Sequence, residues 1–78
     1  PQLLKNVRVH SKPEARADED VVAAIAAVTE ALGDEGRILV RESGTEPLIR
    51  VMVEGKDAVL MEEACRMITA EIEAFVNR

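Results

Sequence analysis

The sequence is almost without aromatic residues: its 78 residues include one Phe, no Tyr and no Trp. Because single-stranded nucleic acids are held largely by bases stacked on aromatic rings, such a ligand is not expected. The formal net charge of −5 also disfavours DNA, RNA and anionic membranes as partners. With so few rings, the core must be built from aliphatic side chains and methionine.

Cysteine and histidine are equally scarce. Cys65 has no partner for an intramolecular disulfide, and its place in an apolar helical pattern predicts a buried core residue. His10 ends a strand-like segment and is expected to face solvent without a special role. The one histidine, His10, is far from Ser43 in the sequence, and no metal-ligand spacing occurs, so we expect neither a catalytic residue nor a metal site in this chain.

Long apolar runs and a signal peptide are also missing. We therefore expect a cytoplasmic protein with no membrane partner. The length allows one small domain, residues 1–78, whose core is thin. The chain begins with Pro1 and opens directly on a strand-like pattern, from which we expect it to be a piece of a longer protein.

What the sequence does contain is a clear order of apolar patterns, β-α-β-β-α. This order predicts a small two-layer α+β fold, an antiparallel sheet covered on one face by two helices. Residues 11–17 are expected to be a linker broken at Lys12-Pro13, and residues 34–36 a turn. The predicted strands are residues 3–10, 37–41 and 48–54, and the predicted helices are residues 19–32 and 58–77.

Helix ends and buried faces follow from the same patterns. Asp18 and Asp57 are the predicted N-caps of the two helices, and Gly33 is the predicted C-cap of the first. In the last strand Ile49, Val51 and Val53 share one face and are expected to contact the helices. The predicted apolar stripes are Val21, Val22, Ile25, Val28, Thr29 and Leu32 on the first helix, and Met61, Ala64, Cys65, Ile68, Ile72, Phe75 and Val76 on the second.

The loop between the last two strands has the chemical parts of an anion site. Arg41 offers a planar fork that matches two phosphate oxygens. Ser43 and Thr45 add hydroxyl donors, and Gly44 permits unusual backbone angles and close approach of a ligand to N–H groups. An ordinary hairpin turn is the alternative, since Ser, Gly, Thr and Pro are common turn residues.

Residues 41–54, Arg-Glu-Ser-Gly-Thr-Glu-Pro-Leu-Ile-Arg-Val-Met-Val-Glu, resemble the phosphate-binding loop in the last domain of the α-D-phosphohexomutases. Residues 1–9 resemble the opening of that domain, and residues 36–41 resemble the strand leading into its loop. The resemblance therefore covers nearly the whole chain. The continuation after Pro47 favours the bacterial phosphoglucosamine mutase branch.

The resemblance implies the C-terminal domain of an isomerase that converts glucosamine 6-phosphate to glucosamine 1-phosphate through a 1,6-bisphosphate, in amino sugar metabolism that supplies cell-wall precursors. It places a phosphoserine, Mg²⁺ and sugar recognition in three other domains. This domain would then be inactive alone, without a cofactor, and would hold the sugar phosphate substrate by its idle phosphate. The implied phosphate-binding residues are Arg41, Ser43, Gly44, Thr45 and, less strongly, Arg50.

Some alternatives stay open at this point. Arg50 could pair with Glu42 or Glu46 instead of a ligand, and Glu42 would oppose a phosphate dianion unless its side chain points away. The chain could be the same domain of a phosphomannomutase or phosphoglucomutase. It could also be a non-enzymatic α+β module that binds a protein through a strand edge or a helix face.

Overall fold

Three antiparallel strands and two long helices form the fold of residues 2–78, the part of the chain that the computed structural model describes. The central strand is β3, which pairs with β1 on one side and β2 on the other, both antiparallel. The α+β prediction is confirmed. The elements are β1 (Gln2–Arg8), α1 (Lys12–Ala17), α2 (Glu19–Leu32), a 3₁₀ turn (Gly33–Glu35), β2 (Gly36–Glu42), β3 (Leu48–Gly55) and α3 (Ala58–Val76).

The core lies between one face of the sheet and the long helices. Helix α3 packs on β1 and β3, while α2 packs on β2 and α3. Ile49, Val51 and Val53 are buried against this layer, as predicted. Fully burying such a side chain contributes about 1.5–3 kcal/mol each. Within residues 2–78 no helix covers the opposite face of the sheet, where Leu4 is 59% and Leu39 40% exposed.

The predicted apolar stripe of α3 is confirmed, and that of α2 is wrong at two positions. Val22 and Thr29 of α2 are exposed. Val22 is turned about 100° from the buried Val21, so only one of the two valines can face the core. The Thr29 hydroxyl donates to the Ile25 carbonyl over 2.7 Å and stays on the solvent side. Thr69 of α3 is buried although it was not predicted, and its hydroxyl donates to the Arg66 carbonyl.

The linker predicted at residues 11–17 is wrong, because this segment contains helix α1. The Ser11 hydroxyl accepts a hydrogen bond from the Glu14 N–H and caps the helix. Pro13 lies in the first turn, where a helix does not need the missing N–H. Ala15 is 0% exposed and anchors the helix to the core. The proline therefore begins a helix here and does not break the chain.

The capping predictions are confirmed. The Asp18 carboxylate accepts from the N–H groups of Asp20 and Val21, both at 3.1 Å, and Asp57 accepts from Leu60 over 3.1 Å. Gly33 ends α2 with a φ of +51°, a value that favours glycine. Strand β1 ends at Arg8, before the predicted end at residue 10, and the other predicted bounds hold within one residue.

The scarce residues behave largely as expected. Cys65 is buried, and this burial raises the pKa of its thiol. His10 is exposed, but its ring also stacks on Phe75 with 5.1 Å between ring centroids, a contact that the sequence did not predict. None of the helices in residues 2–78 combines the length and the hydropathy that crossing a membrane requires.

Candidate functional site

The sheet register places two arginines side by side on its uncovered face. Arg41 of β2 and Arg50 of β3 are direct cross-strand partners, and Asn6 of β1 is the next partner of Arg50. Both arginines are exposed. Like charges that lie directly opposite each other in an antiparallel pair repel and destabilise the sheet. An anion bound between the two guanidinium groups would remove that repulsion.

No carboxylate in the described part of the chain neutralises this arginine pair. The salt bridges among residues 2–78 join Arg37 to Glu54, Arg66 to Glu63, and Arg78 to Asp18 and Asp20. The alternative in which Arg50 pairs with Glu42 or Glu46 is therefore not found in this region.

The position of Glu42 answers the concern that its charge would oppose a bound dianion. Glu42 is the cross-strand partner of Ile49, a buried residue of the face that the helices cover. Successive side chains of a strand point to opposite faces. Glu42 therefore lies on the other face of the sheet from its neighbour Arg41, and its carboxylate points away from the arginine pair.

Ser43 holds the loop together from a buried position. Its N–H donates to the Leu48 carbonyl over 3.0 Å, and its hydroxyl oxygen accepts from the Glu46 N–H over 3.3 Å. The Leu48 N–H in turn donates to the Glu46 carbonyl over 2.8 Å, which makes a tight turn around Pro47. Ser43 is 7% exposed. Its O–H proton is still available to another acceptor, because a hydroxyl both donates and accepts.

Gly44 and Thr45 form the exposed tip of the loop. No hydrogen bond among residues 2–78 uses the N–H of either residue. Gly44 is not among the positive-φ glycines of this region, so the expectation that it serves an unusual φ is wrong. A Cβ added at Gly44 would meet no atom within 4 Å. The tip thus offers two backbone N–H donors and the Thr45 hydroxyl to solvent.

Two residues from earlier in the chain form hydrogen bonds with the loop, and neither contact was predicted from the sequence. The Val9 N–H donates to the Pro47 carbonyl over 2.9 Å, and the Lys12 ammonium donates to the Ser43 carbonyl over 2.7 Å. Arg8 lies opposite Leu48, where β3 leaves the loop. The surroundings of the loop are therefore more positive than the segment 41–54 alone indicates.

The arrangement brings together two guanidinium groups, exposed backbone N–H groups and hydroxyl donors, which are the groups that recognise anions. Within residues 2–78 no group of three or more His, Cys, Asp and Glu side chains could hold a metal ion. The loop is also an open surface: the groove around Leu4, Cys65 and Thr69 and the groove between α2 and α3 include none of residues 41–47.

Comparison with known proteins gives one family and consistent relatives. The family described as phosphoglucomutase/phosphomannomutase, C-terminal domain, matches residues 4–71. A phosphoglucosamine mutase of Lachnospira eligens is 67% identical over 54 residues, covering 69% of this chain and 12% of that protein. That of Carboxydothermus hydrogenoformans is 60% identical over 73 residues, covering 94% and 16%. That of Brevibacillus brevis is 47% identical over 78 residues, covering 100% and 15%.

The chain thus spans only a small part, 12–16%, of the length of these three relatives. The matched residues include the whole of segment 41–54 and both arginines of the cross-strand pair.

Proposed function

The chain belongs to the family of phosphoglucomutase/phosphomannomutase C-terminal domains, and from this premise we propose that it is the C-terminal domain of a phosphoglucosamine mutase. The names of the three relatives support this branch over the phosphomannomutase, phosphoglucomutase and protein-interaction alternatives. In the proposal, the loop and the arginine pair hold the substrate phosphate that is not being transferred. The enzyme would be cytoplasmic, and its other three domains would carry out the phosphoryl transfer.

The observation that carries this proposal is the arginine pair, Arg41 opposite Arg50, with no carboxylate bridging it among residues 2–78. Placing two like charges in register costs stability unless a ligand uses them. A phosphate dianion supplies the opposite charge and enough oxygens for a bidentate contact to Arg41 and a second contact to Arg50. The Thr45 hydroxyl, the Ser43 O–H and the Gly44 N–H complete the proposed donor set.

A donor set of this kind suits the reaction that the mutase family performs. The 1,6-bisphosphate intermediate must be held by either of its two phosphates, in two orientations. The proposed donors recognise a phosphate and contact no defined part of a sugar, so one site serves both orientations. Holding the remote phosphate also positions the reacting end of the substrate in the domains that carry the phosphoserine and Mg²⁺.

The affinity of the 78-residue chain for phosphate alone is expected to be weak. Each charge-assisted hydrogen bond contributes about 1.5–3 kcal/mol, but the site is open to water and lies beside the exposed Glu46. A dissociation constant in the millimolar range, about −4 kcal/mol, is expected. The other domains would enclose the substrate and add the remaining binding energy.

The proposal is tested by Arg41→Ala in a full-length mutase that contains this domain. Losing a bidentate contact of about 3 kcal/mol should lower kcat/KM by about 10²-fold. The melting temperature should stay the same or rise slightly, because Arg41 is exposed, forms no salt bridge among residues 2–78, and its loss relieves the repulsion with Arg50. Steady-state kinetics with glucosamine 6-phosphate and a thermal melt check both expectations.

Arg37→Ala is the matched control for this experiment. Arg37 lies on the same strand and the same face as Arg41, but it forms an exposed salt bridge of 2.9 Å with Glu54 at the far end of the sheet. Losing such a pair costs about 1 kcal/mol or less, and kcat/KM should stay near the wild-type value. Equal kinetic losses in the two variants, or no loss in Arg41→Ala, would contradict the proposed role.

A further inference from the structure

The loop is held at both ends by residues 9–12, here called the corner. The corner consists of the three residues between β1 and α1 and the first residue of α1. The Val9 N–H donates to the carbonyl of Pro47 over 2.9 Å, where the loop ends. The Lys12 ammonium donates to the carbonyl of Ser43 over 2.7 Å, where the loop begins. Gly44, Thr45 and Glu46, the residues between these two anchored carbonyls, make no contact of this kind with the corner.

The corner itself is fixed by the core. Val9 is buried in the main hydrophobic cluster. Ser11 caps α1 through its hydroxyl, and its carbonyl accepts from the Ala15 N–H over 3.0 Å. Ala15, a residue of α1, is fully buried. The backbone of Lys12 is therefore anchored on both sides, so its half-buried side chain reaches the loop from a rigid base.

The contact with Ser43 determines where the N–H of Gly44 points. The Ser43 carbonyl and the Gly44 N–H belong to one peptide unit, which is planar and, like all those described, not cis. In a trans peptide the C=O and the N–H point in opposite directions. When the ammonium of Lys12 holds the carbonyl, the N–H of Gly44 must point away from Lys12. No hydrogen bond in residues 2–78 uses that N–H.

From this geometry we infer that Lys12 is a positioning residue of the phosphate loop: it prevents rotation of the Ser43–Gly44 peptide and so keeps the Gly44 N–H aimed at the ligand. The inference rests on the proposed function and deepens it. A glycine on one side of the peptide makes this rotation easy, because glycine tolerates backbone angles that other residues avoid. The positive charge of Lys12 also polarises the peptide and strengthens the N–H as a donor.

The test uses the 78-residue chain, inorganic phosphate as the probe, and the backbone amide NMR spectrum. Lys12→Met keeps an unbranched stem and removes the donor. It should move the Gly44 amide signal before any phosphate is added and should raise the Kd for phosphate about five- to tenfold, since the binding-competent peptide orientation is less populated. Lys12→Arg, which restores a cationic donor, should recover most of the affinity.

Lys56→Met is the matched control, because Lys56 is an exposed lysine in the turn after β3, outside the loop and the corner. It removes the same charge and should leave the Gly44 signal in place and the Kd within about twofold, since an exposed distant charge is screened by salt. All variants should melt near the wild-type temperature. Melting curves check that each variant is folded.

Three results would overturn the inference: an unmoved Gly44 signal in Lys12→Met, an equal loss of affinity in Lys56→Met, or no recovery in Lys12→Arg. Failure of the proposed function gives a different pattern. In that case the wild-type chain binds no phosphate at the loop, or Arg41→Ala leaves the binding unchanged. The response of the Gly44 signal in phosphate-free Lys12→Met still tests the positioning role then.

Discussion

Gly44 differs from two other glycines of the fold in what surrounds it. A Cβ at Gly36 would lie 2.6 Å from the Glu54 carbonyl oxygen, and a Cβ at Gly55 would lie 2.7 Å from that of Glu35. At Gly44 the same atom would meet nothing within 4 Å, and its φ is not positive. The fold of residues 2–78 therefore requires glycine at 36 and 55 but not at 44. A ligand that approaches the backbone closely gives a reason for glycine at 44.

Gly44→Ala is accordingly predicted to separate folding from binding. Stability should be unchanged or higher by about 0.4–1 kcal/mol, because alanine restricts the unfolded chain more than glycine does. Phosphate affinity should fall at least about tenfold, because the added methyl group keeps the phosphate from approaching the backbone N–H closely enough for one charge-assisted hydrogen bond. Chemical denaturation and a phosphate titration of the same sample measure the two quantities.

Gly36→Ala supplies the comparison, since its added methyl group would collide with backbone and with the Met61 side chain. Overpacking of this kind typically costs about 1–3 kcal/mol, with no specific loss of phosphate binding in the folded fraction. Gly44 would not have the proposed role if Gly44→Ala lost stability as Gly36→Ala does, or if it bound phosphate as tightly as the wild type.

The residue types of the candidate site could be predicted from the sequence because they lie in one short segment. Arg41, Ser43 and Thr45 stand within five positions of one another, so their donor chemistry is visible without a fold. The proposed role of Arg50 gains support only from the sheet register, which places this residue directly opposite Arg41. Lys12 could not have been found, because it is 31 residues from its partner Ser43 and was expected to lie in a linker.

At the scale of elements, the long helices and the strands followed from local signals. The predicted caps at Asp18, Gly33 and Asp57, together with the spacing of apolar residues, gave the bounds of α2 and α3 to within one residue. Helix α1 has only six residues and includes a proline, too short for a periodic pattern. Its stability depends on the Ser11 cap and on Ala15 packing into the core, and the second of these is a tertiary contact that no local pattern contains.

The elements also determine which groups meet at the proposed site. Strands β2 and β3 run antiparallel into it, so both arginines emerge on the same face next to its tip. The tip carries the exposed N–H groups, and helix α1 brings Lys12 against its base. Each of these placements comes from a different element. A hairpin with the same loop sequence but without β1 and α1 would lack the anchoring of Ser43 and Pro47.

At the scale of the whole molecule, the end of the chain is fastened to the start of α2. The Arg78 guanidinium contacts the Asp18 carboxylate at 2.6 and 3.2 Å and Asp20 at 3.3 Å. It also lies 5.8 Å from the centre of the Phe75 ring, which stacks on His10. The two ion pairs join residues 60 and 58 positions apart. They hold the end of α3 against the N-terminus of α2.

This contact predicts a pH-dependent contribution to stability. The hydrogen bond from Arg78 holds the pKa of the Asp18 carboxyl below its ordinary value of 3.8. A carboxyl with a lowered pKa in the folded state stabilises the fold above its ordinary pKa, and this contribution is lost as the pH falls through the lowered value. Asp18→Asn, which keeps a capping oxygen but no charge, should melt earlier than the wild type at pH 7.

The difference in melting temperature between Asp18→Asn and the wild type should shrink as the pH is lowered past 3.8. Thermal melts at a series of pH values between 7 and the acid limit of folding measure it. Asp34→Asn, at an exposed aspartate of the 3₁₀ turn, is the control and should show no such trend. A difference that stays constant with pH would show that the charge of Asp18 does not contribute to stability.

The proposed binding of a phosphate group by residues 41–50 can be measured by titrating the wild-type chain with inorganic phosphate and following its backbone amide NMR signals at constant ionic strength. Phosphate binding at this site should first move the amide signals of Gly44 and Thr45, whose N–H groups are in no hydrogen bond among residues 2–78, and these shifts should saturate in the millimolar range. Shifts scattered over the helices, with the loop signals unmoved, would contradict it.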